Sequence, residues 1–213
     1  MFEISYGAVE RALAVAHNVP DAVRQAGFRS MLSNLQKLGA LGAQARVGRG
    51  AALKYTPTEL HRLVLTLEFC ELGIPPATAV SLVNTYWESK LKAIIGAAER
   101  GVVHEEPPGN DVIIHLGGVS LRTGSLRGEQ FPGVPNLNQC KFSELPSYIK
   151  QWMAMKPSDP VPPRALVVNL SARLRTFHSA LADAYMDELR AERRATLAGE
   201  QPRPKAPKAR KHK

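Results

Sequence analysis

From Ala22 to Lys54 the chain carries six cations, Arg24, Arg29, Lys37, Arg46, Arg49 and Lys54, and no Asp or Glu. Within that stretch Phe28, Met31, Leu32, Leu35 and Leu38 recur at helical spacing, and Arg29, Ser30, Ser33, Asn34 and Lys37 fall on the opposite face. An apolar stripe of this kind must pack against a core, and its polar side must stay wet or meet a polar partner. Cations neutralise phosphates, while Arg, Asn, Ser and Lys can reach base edges, so the pattern fits a helix seated on DNA. The plainer alternative is a solvated face on an ordinary core helix. Two neighbours weigh against it. A basic segment with a Gly48-Arg49-Gly50 turn follows within ten residues, and the absence of acids across both elements removes the repulsion a phosphate backbone would impose.

The punctuation around that stretch sets the expected order of elements. Residues 7–17 read as an Ala-rich helix ended by Asn18-Val19-Pro20, and Pro20-Asp21 opens a second short helix over 20–26. Gly27 separates it from the basic helix at 28–38, which Gly39 terminates. Residues 43–56, with a turn at Gly48-Arg49-Gly50 between two short extended segments, are expected to be a small β-hairpin. Thr56-Pro57-Thr58-Glu59 is a helix start, with Thr as N-cap, Pro at N1 and Glu at N3, and the helix it opens buries Leu60, Leu63, Val64 and Leu67 up to about Gly73. Another helix runs from Pro75-Pro76 through Val80, Leu82, Val83, Tyr86 and Trp87 to about Ala98. This is the order of a winged helix-turn-helix unit with a helical extension, over about residues 1–100.

Gly101 to Asn110 is a turn-rich linker, and beyond it the character changes. Residues 111–116 and 164–170 are short strand-like runs. Between them lie Val119–Arg122, a Gly/Pro/Asn-rich loop at 124–139 and a short helix at 143–155. A long helix follows from Ser171 to about Leu197, with Leu170, Leu174, Phe177, Leu181 and Tyr185 as its apolar seam and a highly charged later half. Residues 199–213, rich in Pro, Lys and Arg, are expected to be a disordered basic tail. The expected fold is therefore mainly α with an α+β region at about 111–198.

Charge distribution narrows the partner. The 28 Lys and Arg outnumber 19 Asp and Glu, for a net +9. Twelve of those cations sit in just two acid-free segments, Ala22–Lys54 and Arg203–Lys213, so the remainder of the chain is slightly acidic. Two basic segments on an otherwise ordinary surface point to nucleic acid rather than membrane. No apolar run approaches the roughly 18 residues needed to span a bilayer, and the N-terminus lacks the basic start and apolar run of a signal peptide. Two distant cysteines, Cys70 and Cys140, fit a reducing compartment, so a cytoplasmic, nucleoid-associated protein is expected. His104, His115 and His178 are too far apart to read as a metal site, and no nucleophile motif or cofactor fingerprint is present. No enzyme activity, metal or cofactor is expected.

The run Met31-Leu32-Ser33-Asn34-Leu35-Gln36-Lys37-Leu38-Gly39-Ala40-Leu41, then Arg46, Tyr55-Thr56, Glu59-Leu60, Leu63, Leu72-Gly73-Ile74 and Leu82-Val83, resembles the DNA-binding domain of the MerR family. In that family a recognition helix ends in Gly-Leu, an Arg-bearing wing closes on a Tyr, and a helix pair is broken at a Gly-hydrophobic step. The resemblance covers roughly residues 19–84. It departs where the family carries Arg and aromatics early in the recognition helix, since Ser33, Asn34 and Leu35 stand there. It implies Arg29, Ser33, Asn34 and Lys37 in the major groove and Arg46, Arg49 and Lys54 on phosphates, and Arg24 and Ser30 join them as flanking contacts. The clustered cysteines of the family's metal sensors are lacking.

The expected function is sequence-specific binding of double-stranded DNA by a transcriptional regulator of bacterial or phage type. A homodimer is expected, because reading two half-sites needs two copies. The C-terminal region would dimerise, sense a small ligand or touch a protein partner. The alternative is a non-sequence-specific nucleic-acid adaptor of a mobile-element or chromosome-maintenance complex.

Overall fold

The computed structural model describes residues 5–19, 22–42, 55–117, 137–154 and 165–197. Seven α-helices and three short strands follow one another within them, so the protein is mainly helical with a small sheet. No helix among the described residues is long and apolar enough to cross a membrane.

Helix α1 (Tyr6–Ala16) begins at Ser5, whose hydroxyl accepts from the Ala8 amide at 3.1 Å. Helix α2 (Ala22–Lys37) replaces the two expected helices at 20–26 and 28–38. Gly27 lies inside it, exposed, with no positive φ. One helical glycine costs about 1 kcal/mol against alanine, less than ending one helix and nucleating another. Pro20 and Asp21, the expected start of the first of the two, lie outside the described residues.

Helix α3 (Pro57–Glu71) carries the expected capping box. The Thr56 hydroxyl accepts from the Glu59 amide at 3.3 Å, and the Glu59 carboxylate accepts from the Thr56 amide at 2.7 Å. Beyond it, α4 (Pro76–Tyr86) and α5 (Lys92–Val103) stand where one helix was expected, joined by a π-helical turn, Trp87–Leu91, in which Trp87 and Leu91 are both buried. Four of these helices stop in the same way. In α1, α2, α3 and α5 the residue after the C-cap takes a positive φ (Asn18, Gly39, Gly73 and Glu105), and the next amide reaches back five residues, as Ala40 does to the Leu35 carbonyl at 3.0 Å. Gly39, at φ 91°, is thus the terminator its sequence position implied.

The strands are β1 (Val112–Gly117), β2 (Leu137–Lys141) and β3 (Ala165–Asn169), antiparallel in the order β2-β1-β3, with Ile114 opposite Gln139 on one side and Val168 on the other. β1 and β3 are the two expected strands. β2 was not expected: Leu137-Asn138-Gln139-Cys140-Lys141 has neither alternation nor β-branched residues to announce it. Val119–Arg122, most of the 124–139 loop and the basic tail lie outside the described residues. Helix α6 (Leu145–Met153) occupies the expected position.

Helix α7 (Leu170–Leu197) closes the structure, packed along α1 and α5. The Asn169 side chain caps its first turn at 2.9 Å, and Arg175 binds Asp111 through two hydrogen bonds of 2.8 and 2.6 Å. That pairing holds the Asp111 carboxyl below its usual range. Leu13, Leu63, Phe69, Trp87, Leu91, Leu116, Leu174 and Phe177 belong to one buried cluster. The core therefore continues across the turn-rich segment at 101–110, where helix gives way to sheet.

Candidate nucleic-acid interface

Helix α2 rests on its neighbours through Phe28, Leu32 and Leu35, all buried. Polar contacts clamp it at both ends of its contact face. Near the start, Arg29 donates from Nε to the carboxylate of Glu10 on α1, a residue that is itself buried. Towards the end, the Gln36 amide donates to the Tyr55 hydroxyl at 2.7 Å, and Tyr55 stacks on Tyr6 with ring centroids 6.1 Å apart. Burial pushes the Tyr55 phenol up, with the Tyr6 side chain adding to the shift, so it stays a neutral donor and acceptor. Just beyond the helix, Asn84 of α4 donates to the Gly39 carbonyl at 3.2 Å and accepts from Arg62 at 2.6 Å.

The outward side carries the residues singled out in the sequence. Ser30, Asn34 and Lys37 are exposed and Ser33 is half-buried. Among the described residues, none of these four side chains makes a hydrogen bond or ion pair. Arg29 differs from them: its Nε is engaged by Glu10, although its side chain remains 64% exposed. The structure thus brings Arg29, Ser30, Ser33, Asn34 and Lys37 onto one accessible face. Arg24 falls in the first turn of α2, with its side chain outside what is described. Arg46, Arg49 and Lys54, with the whole 43–54 part of the expected hairpin, lie outside the described residues.

Two polar clusters had no signature in the sequence. At the end of α1, His17 Nδ1 lies 2.6 Å from a Glu71 oxygen and 3.6 Å from Glu68, and Arg173 of α7 binds Glu68, Glu71 and the Ala16 carbonyl. Burial drives the Glu68 carboxyl up to about 7 against the opposing pull of Arg173, and burial also lowers His17 despite Glu71. Glu68, Glu71 and Arg173 line an open cleft of about 490 Å³ against β3. The second cluster is His61, Glu99 and His178, from α3, α5 and α7. Members of both come from helices far apart in the chain, so nothing in their local spacing could reveal them.

No family model matches this chain, and no curated protein sequence matches it.

Proposed function

We propose that the protein binds double-stranded DNA sequence-specifically, as a transcriptional regulator, with α1 and α2 as the helix-turn-helix pair and α2 in the major groove. The observation that carries this reading is the polar face of Ser30, Ser33, Asn34 and Lys37, unpaired among the described residues, on a helix whose other side is anchored in the core. From Ser30 to Lys37 that face runs along about 10 Å of helix, which suits a groove about 12 Å wide. Serine and asparagine are short enough to meet base edges only when the helix is held close, and the clamps through Glu10, Tyr55 and Asn84 supply that rigidity. In this reading Arg29 holds α2 against α1 and offers the exposed part of its guanidinium to phosphate. In the same reading the acid-free basic segment carrying Arg46, Arg49 and Lys54 supplies cations to the adjacent phosphates. The likeness to the MerR DNA-binding domain points the same way. Two copies acting together on paired half-sites complete the proposal.

The experiment is selection of bound fragments from random and genomic DNA at about physiological salt, where non-specific binding is suppressed. Recovery of a shared motif, with two-fold symmetry for a dimer, is the expected result. Binding that recovers no motif and weakens equally on all sequences with salt would place the protein among backbone-binding adaptors instead.

A further inference from the structure

We propose that His61, Glu99 and His178 bind one divalent transition-metal ion, zinc being the best fit, through the two imidazole Nε2 atoms and a Glu99 carboxylate oxygen. The three residues project from α3, α5 and α7 to a common point, with all three ligand atoms within 4.8 Å of one another. His61 Nε2 lies 2.9 Å from Glu99 Oε1, and His178 Nε2 lies 3.9 Å from the same oxygen. Tetrahedral zinc, with bonds of about 2.0–2.1 Å, separates its ligand atoms by about 3.3 Å. The observed spacings bracket that value, so small side-chain rotations suffice.

A simpler account is that Glu99 only satisfies the buried His61. It explains the 2.9 Å contact but gives the second imidazole only ring packing on His61 and Phe177 and a 3.9 Å approach to the same oxygen, too long for a hydrogen bond. A metal ion accounts for all three groups. Two imidazoles and one carboxylate form a borderline donor set that suits zinc, cobalt or nickel and disfavours magnesium and calcium, which prefer oxygen alone. Access is also in place: His61 is buried, whereas the Glu99 and His178 side chains are about one-third exposed, which opens a route for the ion and a fourth position for water.

The other His and carboxylate cluster, His17, Glu68 and Glu71, is a poorer site although its atoms are as close together. Arg173 already contacts both carboxylates, so a metal dication would meet a guanidinium at the same oxygens. The proposed site has no such competitor among its described contacts. A metal there would pin α3, α5 and α7 together, and α7 packs along α1.

The test uses the full chain, stripped with a chelator and titrated with zinc by calorimetry and with cobalt by visible absorption. One equivalent should bind, with the intense visible bands of four-coordinate cobalt, and zinc should raise the thermal midpoint. His178→Gln and Glu99→Gln, at partly exposed positions, should keep the fold, checked by circular dichroism. Changing a mere outer partner costs about 10–100-fold in affinity, so losing a ligand should weaken zinc by at least ~100-fold and abolish the thermal shift. Glu71→Gln should leave both unchanged. Absence of stoichiometric binding to the native chain overturns the proposal. So does undiminished binding in His178→Gln and Glu99→Gln, or a loss that follows Glu71→Gln instead.

Discussion

The Nε of Arg29 on α2 donates to the carboxylate of Glu10 on α1. Glu10 is buried while Arg29 is largely exposed, so the pair joins the inside of α1 to the outer surface of α2. In the helix-turn-helix arrangement proposed for α1 and α2, the angle between the two helices decides how deeply the second enters a groove. A residue expected to contact DNA thereby also positions the helix proposed to read it.

Removing that tether separates the two duties. Glu10→Ala should lower the melting temperature, because α2 loses its hold on α1, and should free the Arg29 guanidinium for phosphate. One additional phosphate contact steepens the log–log salt dependence of DNA affinity by about 0.9. A salt titration of native and variant protein on the same duplex measures it, and an unchanged slope would mean that releasing Arg29 from Glu10 adds no phosphate contact.

Asn34 and Lys37 should behave differently from each other. Asn34→Ala, which removes a group able to make a bidentate contact to adenine, should cost about 1–3 kcal/mol of discrimination between the selected site and random DNA. Lys37→Ala should weaken both alike and flatten the salt slope by about 0.9. Equal losses from Asn34→Ala on both duplexes would remove it from base reading.

The cluster at the end of α1 makes stability depend on pH. Burial raises the folded Glu68 carboxyl from its ordinary 4.5 to about 7. The native state therefore keeps a proton that the unfolded chain releases, and the stability this group contributes below about pH 4.5 is lost as pH rises through 7. His17, His61 and His178 are lowered by burial and act oppositely, since their contribution is lost as pH falls below 6.5. Glu68→Gln removes only the first limb. Native protein should lose about 2 kcal/mol relative to the variant between pH 5 and pH 8. Urea unfolding at the two pH values checks this, and a pH-independent difference would contradict it.

Thr56 caps α3 immediately after the basic segment. Thr56→Ala leaves the Glu59 amide without its side-chain acceptor and should cost about 1 kcal/mol in urea unfolding. Thr56→Ser, which keeps the hydroxyl, should recover most of it.

Much of this architecture could be read along the chain, because helix ends are local chemistry. Ser, Thr and Pro at starts and glycine at positive φ place their own hydrogen bonds within a few residues, which is why the boundaries near Thr56, Gly39 and Gly73 stand where the sequence put them. Faces are equally local. The 3.6-residue period sent Phe28, Leu32 and Leu35 inward and left Asn34 and Lys37 outside. The same reasoning failed at Gly27, where a weak local preference for a break was smaller than the cost of starting a second helix. It also missed β2, whose strand character comes from its pairing with β1 rather than from its own residues.

The sequence by itself determined the order and type of most elements, the apolar residues of α3, α4 and most of those of α2, and the acid-free segment that makes DNA the expected partner. Only the tertiary structure decided which charges meet. Glu10 finds Arg29, Arg173 finds Glu68, and His178 arrives beside His61 and Glu99 because α7 folds back along α1 and α5. Those meetings join residues up to 117 positions apart, His61 and His178, and packing between elements brings them together, which no periodicity along the chain encodes.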